Sequence, residues 1–456
     1  MVIFARRGGI FCPLHKFDLN FTKSTMKNAN KVSRSFQHMI LLCGCLLIYY
    51  SVSARQHKPT ESGYIAQKTQ GIDSDYVLIF NSYSESAPWC RSLVDSTVMD
   101  LIKLSPQTMT VTQNLNSGLL RDEKALAQLR QQVDVSYHDK PRMIIYIGST
   151  SWPFLHETIE KKWGKVPSII FSDIDYTGPI ANLLRKTPIA PALRIPYDKI
   201  VKEYEGALSV VYMPIYLRQS LALMHQLTPP MTELCFISDT RWISAQMRAD
   251  MAAITKTDFP ELKVRYLISA DMSTLDLLDS LQHYGQETGV LFFSWLKQSQ
   301  MGDSFVNDSH FRIIISKSAR QPLFVLNDNE VNTDSDVLGG YFPTRAAVSH
   351  HVRLALEKTL AGQPGSFQTV EPAQPVIDYL TLIRKGISPD LLPSNTHIYW
   401  KPDNFFHQYR YLLGGGALIV AVLLLIIYFL SRSRTQQRKV LTYMAQYRNL
   451  FENMPI

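Results

Sequence analysis

The stretch Tyr411 to Leu430, reading YLLGGGALIVAVLLLIIYFL, constrains this chain more than any other feature. It carries no charge over about 20 residues, the length a helix needs to cross a hydrocarbon core. Arg432, Arg434, Arg438 and Lys439 come directly after it. Trp400, Phe405, Phe406, Tyr409 and Tyr411 crowd the other end, as an interfacial aromatic belt would. Excess Lys and Arg marks the cytoplasmic side, so the large middle of the chain is expected outside the cytoplasm and only a short tail inside. A buried core helix is the competing reading. Its length, apolarity and lopsided flanks speak against it.

With 456 residues the chain has room for two or three domains. Its formal charge of +8 invites a nucleic-acid reading, but much of the excess sits near the expected membrane edges. Arg6, Arg7, Lys16, Lys23, Lys27, Lys31 and Arg34 lie at one end and the cluster after Leu430 at the other. That distribution is a topology signal, and no nucleic-acid partner is expected. Cys90 and Cys235 are the cysteines of the middle region. A disulfide between them is conceivable, but a strand (ELCFIS) around one and a helix around the other favour two separate apolar thiols.

Residues 1–54 form a leader. Phe36 to Ala54 is a shorter apolar run preceded by Lys27, Lys31 and Arg34, the layout of a secretory signal, with Val52-Ser53-Ala54 suited to cleavage. Read from Met26 the proportions are those of an ordinary signal peptide. An uncleaved signal anchor is the alternative, and both would export the downstream domain. A polar linker covers 55–74.

From there strand-like and helix-like runs alternate. Tyr76 to Phe80, Thr108 to Thr112, Arg142 to Ile147 and Ser168 to Phe171 read as strands, with helices from Pro88 to Leu104 and about Arg121 to Val135. A second set begins with a helix through Leu217, Leu221, Met224 and Leu227, ended by Pro229-Pro230. Further strands lie at Leu234 to Ile237, Val264 to Ile268, Val290 to Phe293 and Leu323 to Leu326, with helices after Arg241 and Ser273. Two such sets predict an α/β chain with two doubly wound, Rossmann-like lobes over 75–410.

Ligands of open α/β sheets bind outside the carboxyl ends of the strands. The polar and aromatic residues at those ends are the candidate site. The first lobe offers Asn81, Tyr83, Ser84, Ser149, Thr150, Trp152, Asp173 and Tyr176. The second offers Asp239, Arg241, Trp242, Ser294, Trp295, Asn327 and Asp328. Each taken singly also suits a turn or a helix cap. Trp152, Trp242, Trp295 and Tyr83 are suited to stacking on a sugar or aromatic ligand, and Arg241 with Asp239 to fixing a polar group.

Asp336-Val337-Leu338-Gly339-Gly340, Ala346-Ala347 and Leu354 to Pro364 (LALEKTLAGQP) carry a resemblance. With the two-lobe order, the region Asp75 to Leu382 is similar to the ABC-transporter substrate-binding-like family, which implies the type 1 periplasmic binding protein fold. A membrane helix behind the domain departs from the secreted members.

The tail 431–456 continues as a helix. Val440, Met444, Tyr447 and Phe451 recur at helical spacing, as in a helix meeting a partner helix. Tyr447 to Ile456 (YRNLFENMPI) resembles the opening of a PAS domain. Exported sensor, membrane helix, signalling helix and PAS is the layout of membrane sensor histidine kinases, including hybrid two-component types. The resemblance implies a bacterial inner-membrane sensor truncated at the start of its PAS domain. It would be a homodimer with a periplasmic domain, a cytoplasmic C-terminus, and a response regulator or receiver domain downstream. The expected ligand is a small sugar, amino acid or other polar or aromatic compound. A membrane-tethered solute-binding protein of an ABC-type uptake system is the alternative.

No catalytic residue, cofactor or metal is expected. His156-Glu157 lies on the exported side, His350-His351 point to different helix faces, and no Walker A, H-E-x-x-H or Gly-x-Ser-x-Gly motif occurs.

Overall fold

The computed structural model describes residues 75–84, 87–228, 230–298, 305–306, 311–402 and 409–452. The expected leader and linker, and the last residues of the PAS-like segment, lie outside them.

Five strands and their helices open the chain: β1 (Tyr76–Asn81), α1 (Pro88–Leu104), β2 (Met109–Asn114), α2 (Glu123–Ser136), β3 (Met143–Ile147), α3 (Ser151–Trp163), β4 (Ser168–Ser172), α4 (Ile180–Arg185), α5 (Tyr197–Glu203) and β5 (Leu208–Tyr212). The second run comprises α6 (Leu217–Leu227), β6 (Glu233–Ser238), α7 (Trp242–Asp258), β7 (Lys263–Ile268), α8 (Thr274–His283), β8 (Thr288–Phe292), α9 (Phe311–Ser318), β9 (Leu323–Val325) and β10 (Val337–Pro343). Then come α10 (Arg345–Leu360), β11 (Phe367–Thr369), β12 (Ala373–Asp378), α11 (Tyr379–Arg384), β13 (His397–Tyr399) and α12 (Arg410–Glu452).

The strands assemble into two large sheets, ordered β11-β5-β4-β3-β1-β2 and β13-β12-β10-β9-β8-β6-β7. Every pairing in them is parallel except β10 with β12. β1, β3 and β4 are buried at every residue, because helices cover both faces of a parallel sheet. This is the expected two-lobed α/β architecture. Gly339 and Gly340 have a packing reason. A Cβ on Gly339 would lie 1.9 Å from the Val376 carbonyl oxygen, and one on Gly340 2.0 Å from that of Val325. β10 can be squeezed between β9 and β12 only without side chains there.

The chain passes between lobes three times. It leaves the first sheet after β5 through Met213–Tyr216, since α6 packs on β10. It returns at Thr344, since α10 packs on α1, β4 and β5. It leaves again after β11 through Val370–Pro372 to reach β12. Three crossovers between two lobes are the connection pattern found in hinged two-domain proteins. Cys90 and Cys235 are separate buried thiols.

One helix of the described residues, Arg410–Asn449, is long and apolar enough to cross a membrane, with a mean hydropathy of 2.7 in its most apolar window. The helix itself runs unbroken for 43 residues, roughly 64 Å at 1.5 Å per residue.

Candidate ligand cleft

A cavity of about 220 Å³ lies where the two lobes meet. Tyr83, Trp89, Cys90, Leu93 and Asp173 line it from the first lobe, and Arg241, Ile243, Phe292, Trp295, Asn327, Asp328 and Phe342 from the second. The first crossover contributes Met213, Pro214 and Ile215, and the end of β10, next to the second, contributes Pro343. The segments joining the lobes therefore form part of the cavity wall.

A charged side chain bridges the lobes at the cavity. Arg241 stands at the start of α7, and its guanidinium carbon lies 4.7 Å from the centre of the Tyr83 ring. Arg241 is held by Asp239, which accepts from its Nε at 2.8 Å and from its backbone N at 2.9 Å. Ser244 Oγ donates at 2.6 Å to Asp239 Oδ1, the oxygen that the backbone N also reaches, and Ser294 Oγ lies 3.4 Å from Ser244 Oγ. Asp239 is fully buried, so it positions the arginine rather than meeting a ligand. Burial opposes the charge on Arg241, but Asp239 and then Tyr83 outweigh it and leave the pKa raised.

Asp173 faces the same end of the cavity. Burial lifts its carboxyl pKa from 3.8 to about 6, against the pull of Arg241. Burial also raises the Tyr83 hydroxyl, which stays protonated beside it. Asp173 Oδ1 has no hydrogen bond within the protein. Ser149 sits close enough to lower both pKa values, yet its Oγ makes no bond of good geometry. Asp328, which also lines the cavity, accepts from Arg345 N at 2.5 Å and from the Tyr399 hydroxyl at 2.7 Å. Both of these reach one oxygen. Asp328 Oδ1 and Asn327 Oδ1 have no partner. Unpaired buried acceptors are costly and mark places where a ligand donor is welcome.

Of the residues expected at the strand ends, Tyr83, Asp173, Arg241, Ser294, Trp295, Asn327 and Asp328 line the cavity. The others do not. Asn81 bonds Asn114 at 2.8 Å and the Tyr83 backbone N at 3.2 Å. Thr150 shares a 2.7 Å hydrogen bond with Ser117. Ser84 accepts from Ala87 N at 3.1 Å through its carbonyl. Trp152 stacks on His156 at 4.0 Å inside the first lobe, and the Tyr176 ring lies under Arg194 at 4.4 Å. Trp242 donates to the Thr187 carbonyl at 3.0 Å. Sequence reasoning passed over Trp89, Cys90, Phe292, Phe342 and Arg345. Trp89 is the second residue of α1, directly after a strand-end loop, and that placement is the one signal that could have drawn it in.

No family model matches the chain, and no curated protein matches it. Solved structures of similar outline include a conserved domain protein from Vibrio cholerae (9% identity, TM-score 0.45, covering 71% of this chain and 100% of that one). Another is a substrate-binding protein with adhesive properties from Clostridium difficile, ligand-free and open (12%, TM-score 0.42, 72% and 100%). A third is an ABC domain from Streptococcus pneumonia in complex with L-Trp (12%, TM-score 0.43, 71% and 99%). Likeness this distant assigns no ligand to the present cleft. The fold is read from the chain's own strand order.

Proposed function

We propose that this chain is the receptor portion of a membrane signalling protein, whose two lobes close on a small ligand with an apolar or aromatic body and a charged head. The observation that carries this is the cavity itself. It lies between the lobes, aromatic side chains line it, and two sets of charged groups reach it: Arg241 with Asp173, and Asp328 with Arg345. At about 220 Å³ it falls below the usual ligand pocket of roughly 300–1,000 Å³. That size suits a single amino acid or monosaccharide better than a peptide. The mixed charges favour a zwitterion: Arg241 for an anionic group, Asp173 for a cationic one. A ligand ammonium would draw Asp173 into its ionised form.

The Tyr411–Leu430 segment would anchor the domain in the bacterial inner membrane, domain outside and Arg432–Lys439 inside. Past that segment α12 continues without a break, placing Val440, Met444 and Tyr447 on one helical stripe. A homodimer joined along that stripe would pass closure to a PAS and histidine-kinase output and on to a response regulator. A tethered uptake protein has no evident use for this extension.

The test is a thermal-shift screen of the full chain in lipid nanodiscs against amino acids, monosaccharides, nucleosides and short peptides. Apolar-bodied amino acids should raise the melting temperature with concentration, as linkage requires. Stabilisation by none of the four classes contradicts a ligand cleft. Cysteine cross-linking of Val440→Cys with and without the stabilising compound then separates the roles. A ligand-dependent rate supports signalling, and an unchanged one supports a passive tether.

A further inference from the structure

Beside the cavity, the two lobes touch through a ring of polar groups. Lobe one supplies the loop between α4 and α5, and lobe two supplies one face of α7. The Ile189 backbone N donates to Gln246 Oε1 at 2.8 Å. Gln246 Nε2 donates to Asp250 Oδ1 at 3.0 Å. Arg194 Nη2 donates to the same Asp250 oxygen at 3.3 Å, and its Nε to the Ile189 carbonyl at 3.2 Å. The four bonds close a circuit that crosses the lobe boundary twice. Trp242 adds a third crossing through Thr187, 3.0 Å away.

The circuit is specific in two ways. Gln246 is 1% exposed, and its amide can satisfy both neighbours in one orientation alone, oxygen to the Ile189 N–H and nitrogen to Asp250. Arg194 is held over the Tyr176 ring at 4.4 Å, so its guanidinium reaches Asp250 already aligned. If the lobes part, Gln246 loses the partner of its oxygen and the Ile189 N–H loses its acceptor together, an all-or-none contact.

We infer that this Ile189–Arg194–Asp250–Gln246 ring is an interlobe latch that holds the lobes together without ligand and so sets the resting balance between open and closed forms. A latch of this kind raises the apparent affinity of any cleft ligand by raising the closed fraction, without touching the ligand. The inference is independent of what the chain signals or delivers.

Hydrogen exchange of the full chain in nanodiscs, extensively dialysed, reads it directly. The comparison is wild type with Gln246→Ala and with Asp250→Ala. Asp250 has a side chain 31% exposed, so its truncation opens no core cavity. The distant reporters are the cleft backbones, where Phe293 N bonds Ile237 O at 3.0 Å and Val331 N bonds Asp328 O at 3.2 Å. A latch predicts exchange in 292–296 and 326–331 faster by at least about fivefold in both variants, with β1 and β6 unchanged. Acceleration confined to 187–194 in both variants overturns it, since the ring would then brace one loop only. Should Gln246→Ala lose protection in β1 and β6 as well, the Asp250→Ala result alone decides.

Discussion

The strand-end loops of the two lobes look alike in sequence and do different jobs. In the first lobe they tie to each other. Ser82 Oγ accepts from the Ser151 backbone N at 2.9 Å, Ser117 Oγ donates to the Ser82 carbonyl at 2.6 Å, and Ser117 meets Thr150. Gly148 allows this closeness: its φ is +90°, and a Cβ there would fall 2.8 Å from Ser82 Oγ. In the second lobe the loops after β8 and β9 turn Ser294, Trp295, Asn327 and Asp328 toward the cavity. The first lobe commits its polar residues to a rigid rim, and the second presents most of its own to the cleft. Tyr83 and Asp173 are the exceptions, since both line the cavity.

Substitutions can break this contrast. The largest effect is expected from Arg241→Ala, which leaves fully buried Asp239 without its cation. It should cost about 3–5 kcal/mol of stability, measured by denaturant unfolding. Gly148→Ala comes next. It forces a Cβ into a left-handed backbone against Ser82, at roughly 1–3 kcal/mol, and an equivalent change at open Gly164 should cost less.

Asp173→Asn should act in the other direction. The folded pKa of about 6 lies above the ordinary 3.8. The folded state therefore binds the proton more tightly, and the contribution is present below about pH 4 and lost as pH rises through 6. Near pH 7.5 the Asn variant should be more stable by up to about 3 kcal/mol, and the fall in stability between pH 4 and 6 should flatten. The smallest change is Thr150→Val, which removes one hydrogen bond of the rim for about 1 kcal/mol and leaves ligand binding untouched.

The same contrast governs how much was legible in the sequence. β1, β3 and β4 announced themselves as unbroken apolar runs, and α1 was expected from Pro88 to Leu104, where it lies. β5 (LSVVY) was passed over, as were β11 and β13, each of three residues. The two three-residue strands have no periodicity and exist through their neighbours. The location of the cleft at the strand ends was also legible. Which residue would line it was not, because Asn81 and Asn327 both look like polar turn residues. The difference lies in whether another loop supplies a partner: Asn114 does so for Asn81, while Asn327 Oδ1 has none. The apolar lining was invisible for the opposite reason, since Phe292, Ile215 and Phe342 read as ordinary core.

The most direct test of the contrast is the ligand-dependent rise in melting temperature of Trp295→Ala set beside that of Thr150→Val, each against its own ligand-free value. The account predicts that Trp295→Ala loses the rise and Thr150→Val keeps it in full. A retained rise in Trp295→Ala with a lost one in Thr150→Val would place recognition on the first-lobe rim and contradict the assignment.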